Sequence, residues 1–486
     1  MRKIPLALLL LGIGLCAAAQ AAPQSQPPQE TAPAPAFGQD APVLNPDNPP
    51  VTGLDQPSLE LPSVTRSFIS PALQLSESGE SNAANEVGGT GAESVTRIVG
   101  ALDLQKFWSK SDFFGEYLGG GAFYGNPFVV KQLQAVGIEA VTRWRSGQVT
   151  LRDGFSYLPD GAFYFGTFGG SPGLGLAGLG LASGTMGVGM EGGALPGTII
   201  SPQLGSLENI PRLANSVILD AVQAISPRSA ITLAGGYSNA HFFDTANCAI
   251  PTDACLINSD EVTIEGGYSH LLSRRDQIGL VYGFQFFQFP QSTEGEIYNN
   301  LLNVRWSHTI SGKMNLIAGV GPQYTELADG GTIGTISHWS ISALVELHYK
   351  LGHGGLIATY EKYTSSGSGF FAGAETQAAR MGYRHPLGRT WEFFADLAYS
   401  HNSALQSPQN LGVPNLGVYA SSYNSGTAGA ILRKHMGRTY DFFAAYRFIE
   451  LAFNLPITLG GSTGSMTQNS VGTIGLEWHP RPTRIE

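Results

Sequence analysis

The serine at position 171 lies in Gly169-Gly170-Ser171-Pro172-Gly173, which matches the G-x-S-x-G pattern of a nucleophile elbow. That elbow needs a buried strand before it, a helix after it, and a histidine and an acid placed on the serine. None of these is evident nearby, and Pro172 directly follows the serine. Two further matches, Gly173-Leu174-Gly175-Leu176-Ala177-Gly178 and Gly187-Val188-Gly189-Met190-Glu191-Gly192, fit G-x-G-x-x-G. A dinucleotide loop requires a strand before and a helix after, and neither flanks these glycines. The 10 histidines are scattered, with no H-E-x-x-H and no pair at metal spacing. The reading is therefore no catalytic residue, no cofactor site and no metal site.

The charged residues with a consistent pattern are those that fall on one face of alternating segments. Opposite the aromatic face lie Asp103, Glu139, Arg143, Arg152, Glu265, Arg305, Glu346, Arg380, Arg384, Glu392, Asp396, Asp441, Arg447 and Glu477. An arginine or lysine facing lipid at mid-depth costs roughly 2–4 kcal/mol, whereas one facing water costs little. Two readings stay open. The set is a charged pore lining that tunes selectivity, or it is a wall of ion pairs that braces the structure. Both signs occur together, so no strong ion preference follows.

The elements that would position these residues are clearest in residues 260–327. Val262, Ile264, Gly266 and Tyr268 share one face, and Thr263, Glu265, Gly267 and Ser269 share the other. A period of two marks a strand with different environments on its two sides. Very short turns, Ser273-Arg274-Arg275-Asp276 and Ser311-Gly312-Lys313, join consecutive strands on one side, and looser connections join them on the other. The same meander reads through most of the chain from residue 94 onwards, giving about 17 strands. Parity recruits residues 67–77 as a first strand, for about 18, with 16 possible, because single-chain bacterial barrels normally have an even number. Pro71 then lacks a ladder donor and requires a bulge. Residues 208–225 alternate poorly and also fit an amphipathic helix.

Composition points the same way. Of 486 residues only 13% are charged, with 63 Gly and 29 Pro, about half the usual charged share of roughly 25%. Outside the N-terminus there is no uncharged apolar run long enough for a membrane helix. An all-β transmembrane barrel, apolar outside and polar inside, satisfies both facts. The net charge of −10 disfavours a nucleic-acid partner.

Residues 1–21 read as a secretory signal peptide, with Arg2 and Lys3, an apolar core and Ala19-Gln20-Ala21 at the cleavage site. Residues 22–62 read as a Pro-rich periplasmic linker. Residues 63–480 read as the barrel, interrupted by a long Gly-rich loop at 159–211, and residues 481–486 as a tail. Cys248 and Cys255, in the segment CAIPTDAC, are expected to form a local disulfide in an oxidising compartment. The Gly-rich loop carries alternating Leu, Met and Val with a single charge, Glu191, in its central part, and is expected to fold into the lumen as a constriction.

The tryptophans supply an independent check. Trp108, Trp144, Trp306, Trp391 and Trp478 all fall near a tight turn or the end of the last strand, and Trp339 falls at the opposite rim. Amphipathic rings at strand ends are what an interfacial girdle requires.

At YLGGGAFY (117–124), LRDGFSYLPDGAF (151–163) and GLEWHPRP (475–482) the chain resembles outer-membrane β-barrel proteins of the β-barrel porin type known from Acidobacteria. The resemblance covers most of the chain after about residue 64 and identifies no substrate. It implies a bacterial outer-membrane location, with lipid and the barrel insertion machinery as partners. The chain departs from many such barrels by ending in HPRPTRIE after Trp478 rather than on an aromatic residue. The expected function is a porin-like channel for passive passage of small polar solutes. The alternatives are a barrel for exopolysaccharide export, with polysaccharide as partner, and a non-conducting structural or adhesive barrel.

Overall fold

The computed structural model describes residues 67–82, 91–125, 128–158, 212–242, 257–290, 295–328, 336–352, 354–366, 371–405, 421–459, 462–481 and 483–485. The expected signal peptide, Pro-rich linker and Gly-rich loop, and the expected Cys248–Cys255 disulfide, fall outside these residues.

The described residues form one antiparallel sheet. In chain order its strands are β1 (Phe68–Glu80), β2 (Glu93–Phe107), β3 (Ser111–Gly125), β4 (Phe128–Trp144), β5 (Gly147–Leu158), β6 (Arg212–Ser226), β7 (Ser229–Phe242), β8 (Ser259–Leu271) and β9 (Asp276–Gln288). They continue with β10 (Glu296–Ser311), β11 (Met314–Ala328), β12 (Ile336–Lys350), β13 (Gly355–Ser365), β14 (Ala374–Pro386), β15 (Trp391–Ala404), β16 (Ser422–Met436), β17 (Tyr440–Leu459), β18 (Ser462–Trp478) and the two-residue β19 (Thr483–Arg484). Each long strand pairs with its neighbours in sequence, and β1 pairs with β18, so the sheet closes into a barrel. Closure removes sheet edges, which is the condition for spanning lipid with strands.

The period-two pattern becomes an inside and an outside. Ile264, Leu280, Val304, Ile341 and Ile474 are exposed on the outer face. Their sequence neighbours Glu265, Gly279, Arg305, Ser342 and Thr473 point inward and are buried. Trp108, Trp144, Trp306 and Trp478 are exposed near the rim of tight turns. At the other rim Trp339 stacks at a tilt on Tyr324, ring centroids 4.9 Å apart. The tight turns close with short backbone bonds, such as Leu351 N to Gly354 O at 2.8 Å. Gly388 and Gly437 adopt positive φ in two of them, a conformation cheap only without a Cβ.

Three sequence expectations need correction. The helix alternative for residues 208–225 fails, because Arg212–Ser226 is β6 and is paired on both sides. The tail is not wholly outside the sheet, since Phe68↔Arg484 and Ile69↔Thr483 extend the β1 ladder. The bulge expected for Pro71 is not in its pairing with β2, which runs through Pro71↔Leu102 without a shift. It lies on the other side. The ladder breaks between Leu73↔Trp478 and Ile69↔Thr483, where the C-terminal segment carries an extra residue. Pro71 sits at that break, where no donor is needed.

One pair of strands is pinched. The β10–β11 ladder passes from Leu301↔Gln323 to Val304↔Val320, skipping Gly321 and Pro322. A Cβ at Gly321 would lie 1.7 Å from the Leu302 carbonyl oxygen, so only glycine fits there.

A second irregularity sets the shape of one rim. β11 and β12 pair along Ile336–Tyr349. β12 and β13 pair only from Ala343↔Lys362 to Lys350↔Gly355. β13 stays with β14 up to Ser365↔Ala374. The end of β13 therefore separates from β12 while staying on β14, which remains paired with β15 through Ala374↔Ala404, and among the described residues 336–342 of β12 have no partner on that side.

Candidate functional site: the charged inner wall

The candidate site is the inner face of the barrel, where strand parity sends the polar side chains. Its best-braced part lies beside the closing seam. Arg97 on β2 pairs with Glu80 on β1, and both side chains are fully buried. Arg97 also donates to Ser78 Oγ at 2.5 Å. Ser78 in turn meets Thr473 Oγ1 of β18 at 2.8 Å, so one polar chain crosses the seam.

A second group follows the inner rim on the tight-turn side. Arg384 reaches Glu392 Oε1 at 2.6 Å and lies over the Phe394 ring at 5.3 Å. Glu392 and Arg433 are register partners across β15 and β16. Arg433 lies 3.9 Å from Glu477, and Asp441 is the register partner of Glu477. Asp441 is met by His435 at 2.9 Å and His479 at 3.4 Å. Arginines and carboxylates thus alternate from β14 to β18, with two histidines on Asp441.

The third group, on β8 to β13, is richer in acid. Glu261, Glu265, Glu346 and Glu361 are buried there, with Arg305 as the arginine among them. Arg305 Nη1 lies 4.0 Å from Glu265 Oε1. Glu261 accepts from Gln285 Nε2 at 3.4 Å and from Ser238 Oγ at 3.5 Å. Glu346 is met by His348 two residues along the same inner column.

Of the sequence-predicted residues, Glu265, Arg305, Glu346, Arg384, Glu392, Asp441, Arg447 and Glu477 are inward and largely buried among other side chains. Arg143 is inward near the rim and pairs with Asp112. Glu139 and Arg152 are direct register partners across β4 and β5, while Arg380 and Asp396 sit on β14 and β15. The side chains of these four, and of Asp103, lie outside the described residues. Glu80, Arg97, Glu261, Glu361 and Arg433 were missed. Glu80 lay beyond the expected end of the first strand. The other four lie on expected strands and were legible from parity alone.

The end of β13 comes to rest on this wall. By parity Thr364 belongs to the outer face, in line with Tyr360 and Lys362. Instead it is 1% exposed, accepts a hydrogen bond from Gln323 Nε2, and lies 3.4 Å from Thr325 Oγ1. Gln323 and Thr325 are inward residues of β11. An outward residue of one strand meeting the inward residues of another places the end of β13 inside the barrel mouth. Beyond it, Phe371 packs on Tyr423, ring centroids 5.7 Å apart. Ala372 joins a cluster of Phe287, Phe289, Ile297 and Leu327 on β9 to β11 and the residue after β9.

These features define a closed antiparallel β-barrel with an apolar outer belt and a charged, paired inner wall. No protein-family model matches the chain, and no curated protein matches it. Solved structures with a similar arrangement include OccK2 (OpdF) of Pseudomonas aeruginosa, 12% identical, covering 85% of this chain and 99% of that chain with a TM-score of 0.40. OccAB3 of Acinetobacter baumannii is 12% identical over 86% of this chain and 100% of that chain, TM-score 0.41. The FrpB iron transporter of Neisseria meningitidis is 8% identical over 85% of this chain and 82% of that chain, TM-score 0.38. At that level of similarity the barrel's own geometry carries the functional reading.

Proposed function

We propose that the chain is a porin-like outer-membrane channel for the passive passage of small polar solutes. The observation that carries this is the sharp change of chemistry across one strand thickness. Ile264 and Ile474 face outward and exposed, while their neighbours Glu265 and Thr473 are inward and buried. Water-soluble barrels do not keep a continuous apolar belt on the outside, and lipid-spanning ones require it. Closed barrels of this strand number enclose more space than wall side chains fill. The inner wall, polar and paired, suits hydrophilic solutes and disfavours apolar ones. The resemblance to β-barrel porins of acidobacterial type, carried by residues 117–124, 151–163 and 475–482, accords with this reading. In it, the ion pairs of β14 to β18 hold the inner rim, and the acid-rich sector of β8 to β13 is the part of the wall that biases passing ions.

Single-channel recording of the refolded full chain in a planar bilayer tests the proposal. Stepwise conductance that falls when sugars of graded size are added supports a solute channel. Folded, heat-modifiable protein that inserts and carries no current would replace it with the non-conducting structural barrel. Blockage by long polysaccharide alone would favour export.

A further inference from the structure

We infer that the tight-turn rim of the barrel carries a cationic collar that binds the phosphate headgroups of anionic glycerophospholipids in the leaflet it meets. The inference concerns the outside of the barrel and holds whether or not the lumen conducts.

The first observation is the collar itself. Lys110, Arg145, Arg228 and Arg275 are exposed in the turns after β2, β4, β6 and β8. Lys313, Arg389 and Arg438 are exposed in the turns after β10, β14 and β16, and Lys350 is exposed at the end of β12. Every tight turn thus brings a cation to the same rim, and Arg481 and Arg484 continue the series after β18. Among the described residues, none of these side chains is in an ion pair with a carboxylate. The acids nearest in sequence are engaged elsewhere. Asp112 pairs with Arg143, and Asp276 accepts from Ser273 Oγ at 2.6 Å and lies 2.7 Å from His308 Nδ1.

The second observation is the level of the collar. Trp108, Trp144, Trp306 and Trp478 are exposed near the same rim. Lys434 Nζ lies 5.2 Å from the centre of the Trp391 ring. Indole rings at strand ends mark the boundary between hydrocarbon and headgroups. Cations one or two residues further on, such as Arg145 after Trp144 and Lys110 after Trp108, therefore reach the phosphate layer. A guanidinium held there meets phosphate oxygens through paired N–H donors. Tight turns face the periplasm in bacterial barrels, which sets the leaflet.

The third observation is the contrast with the other rim. At the long-loop end the outer face carries Glu77, Asp260, Glu296, Glu326 and Glu450, and Lys362 there is paired with Glu375 at 2.9 Å. Asp260 accepts from the Tyr237 hydroxyl at 2.9 Å, and Glu450 accepts from Gln468 Nε2 at 2.7 Å. Charge is therefore sorted along the barrel axis, with cations at the turns and carboxylates towards the loops. The collar also runs around the circumference, one turn after another. A single docked protein would meet its counter-charges on one side, whereas a shell of anionic lipid meets every turn. The occupant that fits this distribution is the lipid annulus.

Quenching of tryptophan fluorescence by brominated lipid tests this on the refolded full chain. Trp339→Phe, present in every sample, removes the tryptophan at the opposite rim. Vesicles mix phosphatidylcholine with phosphatidylglycerol, and one lipid or the other is brominated near its headgroup. Phosphatidylglycerol should be enriched about twofold or more beside the rings at low salt. The enrichment should vanish at high salt, because the screening length falls from about 10 Å at roughly 0.1 M to about 3 Å at roughly 1 M. It should also vanish in a variant carrying Arg145→Gln, Arg228→Gln, Arg275→Gln, Lys313→Gln, Arg389→Gln and Arg438→Gln. The first three or the last three substitutions alone should lower it partway. Equal quenching by the two lipids in the parent overturns the collar, as does enrichment that survives in the heat-modifiable six-residue variant. If that variant does not reach the heat-modifiable form, the two three-residue variants decide, and unchanged enrichment in both overturns the inference. Residues 22–62 carry Glu30, Asp40, Asp47, Asp55 and Glu60 and no lysine or arginine. Enrichment that appears only once residues 22–62 are deleted would give the collar to that acidic segment and overturn the lipid assignment.

Discussion

Arg97 and Glu80 form an ion pair at full burial one strand away from the seam that closes the barrel. Removing one partner of such a pair takes from a buried charge its opposite charge, at a cost of about 3–5 kcal/mol. Arg97→Gln and Glu80→Gln are each expected to lose that much in urea unfolding from lipid vesicles. Replacing both with apolar residues of similar volume should recover most of it. A double variant that loses the sum of the two single effects would show that the residues do not act as a pair.

The outer face of Ile264 is expected to meet lipid. Ile264→Arg should cost roughly 2–4 kcal/mol, while Gln288→Arg, at the far end of β9, should cost close to nothing. Unfolding from vesicles measures both. Equal, small costs at the two positions would mean that the belt faces water.

On the proposed channel reading, the alternating charges of β14 to β18 are expected to hold the rim rather than filter solutes. Arg433, 3.9 Å from Glu477 and nearly unexposed, serves as the probe. Arg433→Gln should lower the unfolding midpoint and leave the reversal potential in a salt gradient nearly unchanged. A large change in ion preference from Arg433→Gln would assign selectivity to the rim.

Gly321 is the one position in the β10–β11 pair where any side chain collides with backbone. Gly321→Ala should destabilise by about 1–3 kcal/mol, the range for forcing extra volume into packed structure. Gly266, with open space where its Cβ would be, is the control. Gly266→Ala should leave the unfolding midpoint within error of the parent.

Most of the barrel was legible because lipid imposes a strict rule on strands. Val262, Ile264 and Tyr268 had to share a face, and turn residues such as Ser273 to Asp276 had to separate consecutive strands. The first strand came from parity alone, and Pro71 looked costly because its compensation sits in the chain's last residues. The displaced end of β13 was not legible. Thr364 keeps the alternation of a wall strand, and nothing in TYEKYTSSGSGFF says that the strand turns inward. Its location depends on contacts with Gln323, Thr325 and Ile297, which are distant in sequence. The inner charges were legible as a face but not as pairs, because partners such as Arg433 and Glu477 sit two strands apart.

The hydrogen bond between Ser78 and Thr473 spans 395 residues. Every other neighbouring pair of long strands is adjacent in sequence, β5 and β6 across the long 159–211 connection, so each can pair before the last strand is made. Only the β1–β18 pair must await nearly the whole chain, and it carries the largest single loop-closure cost in the barrel. Assembly therefore passes through a curled sheet with two bare edges, β1 on one side and the newest strand on the other, each able to capture a foreign strand. The commitment to a barrel is made in one late step, when residues 471–478 meet residues 73–80. A chain cut short by its final strand would be held at that open sheet, complete in its local pairings and still unable to become a pore.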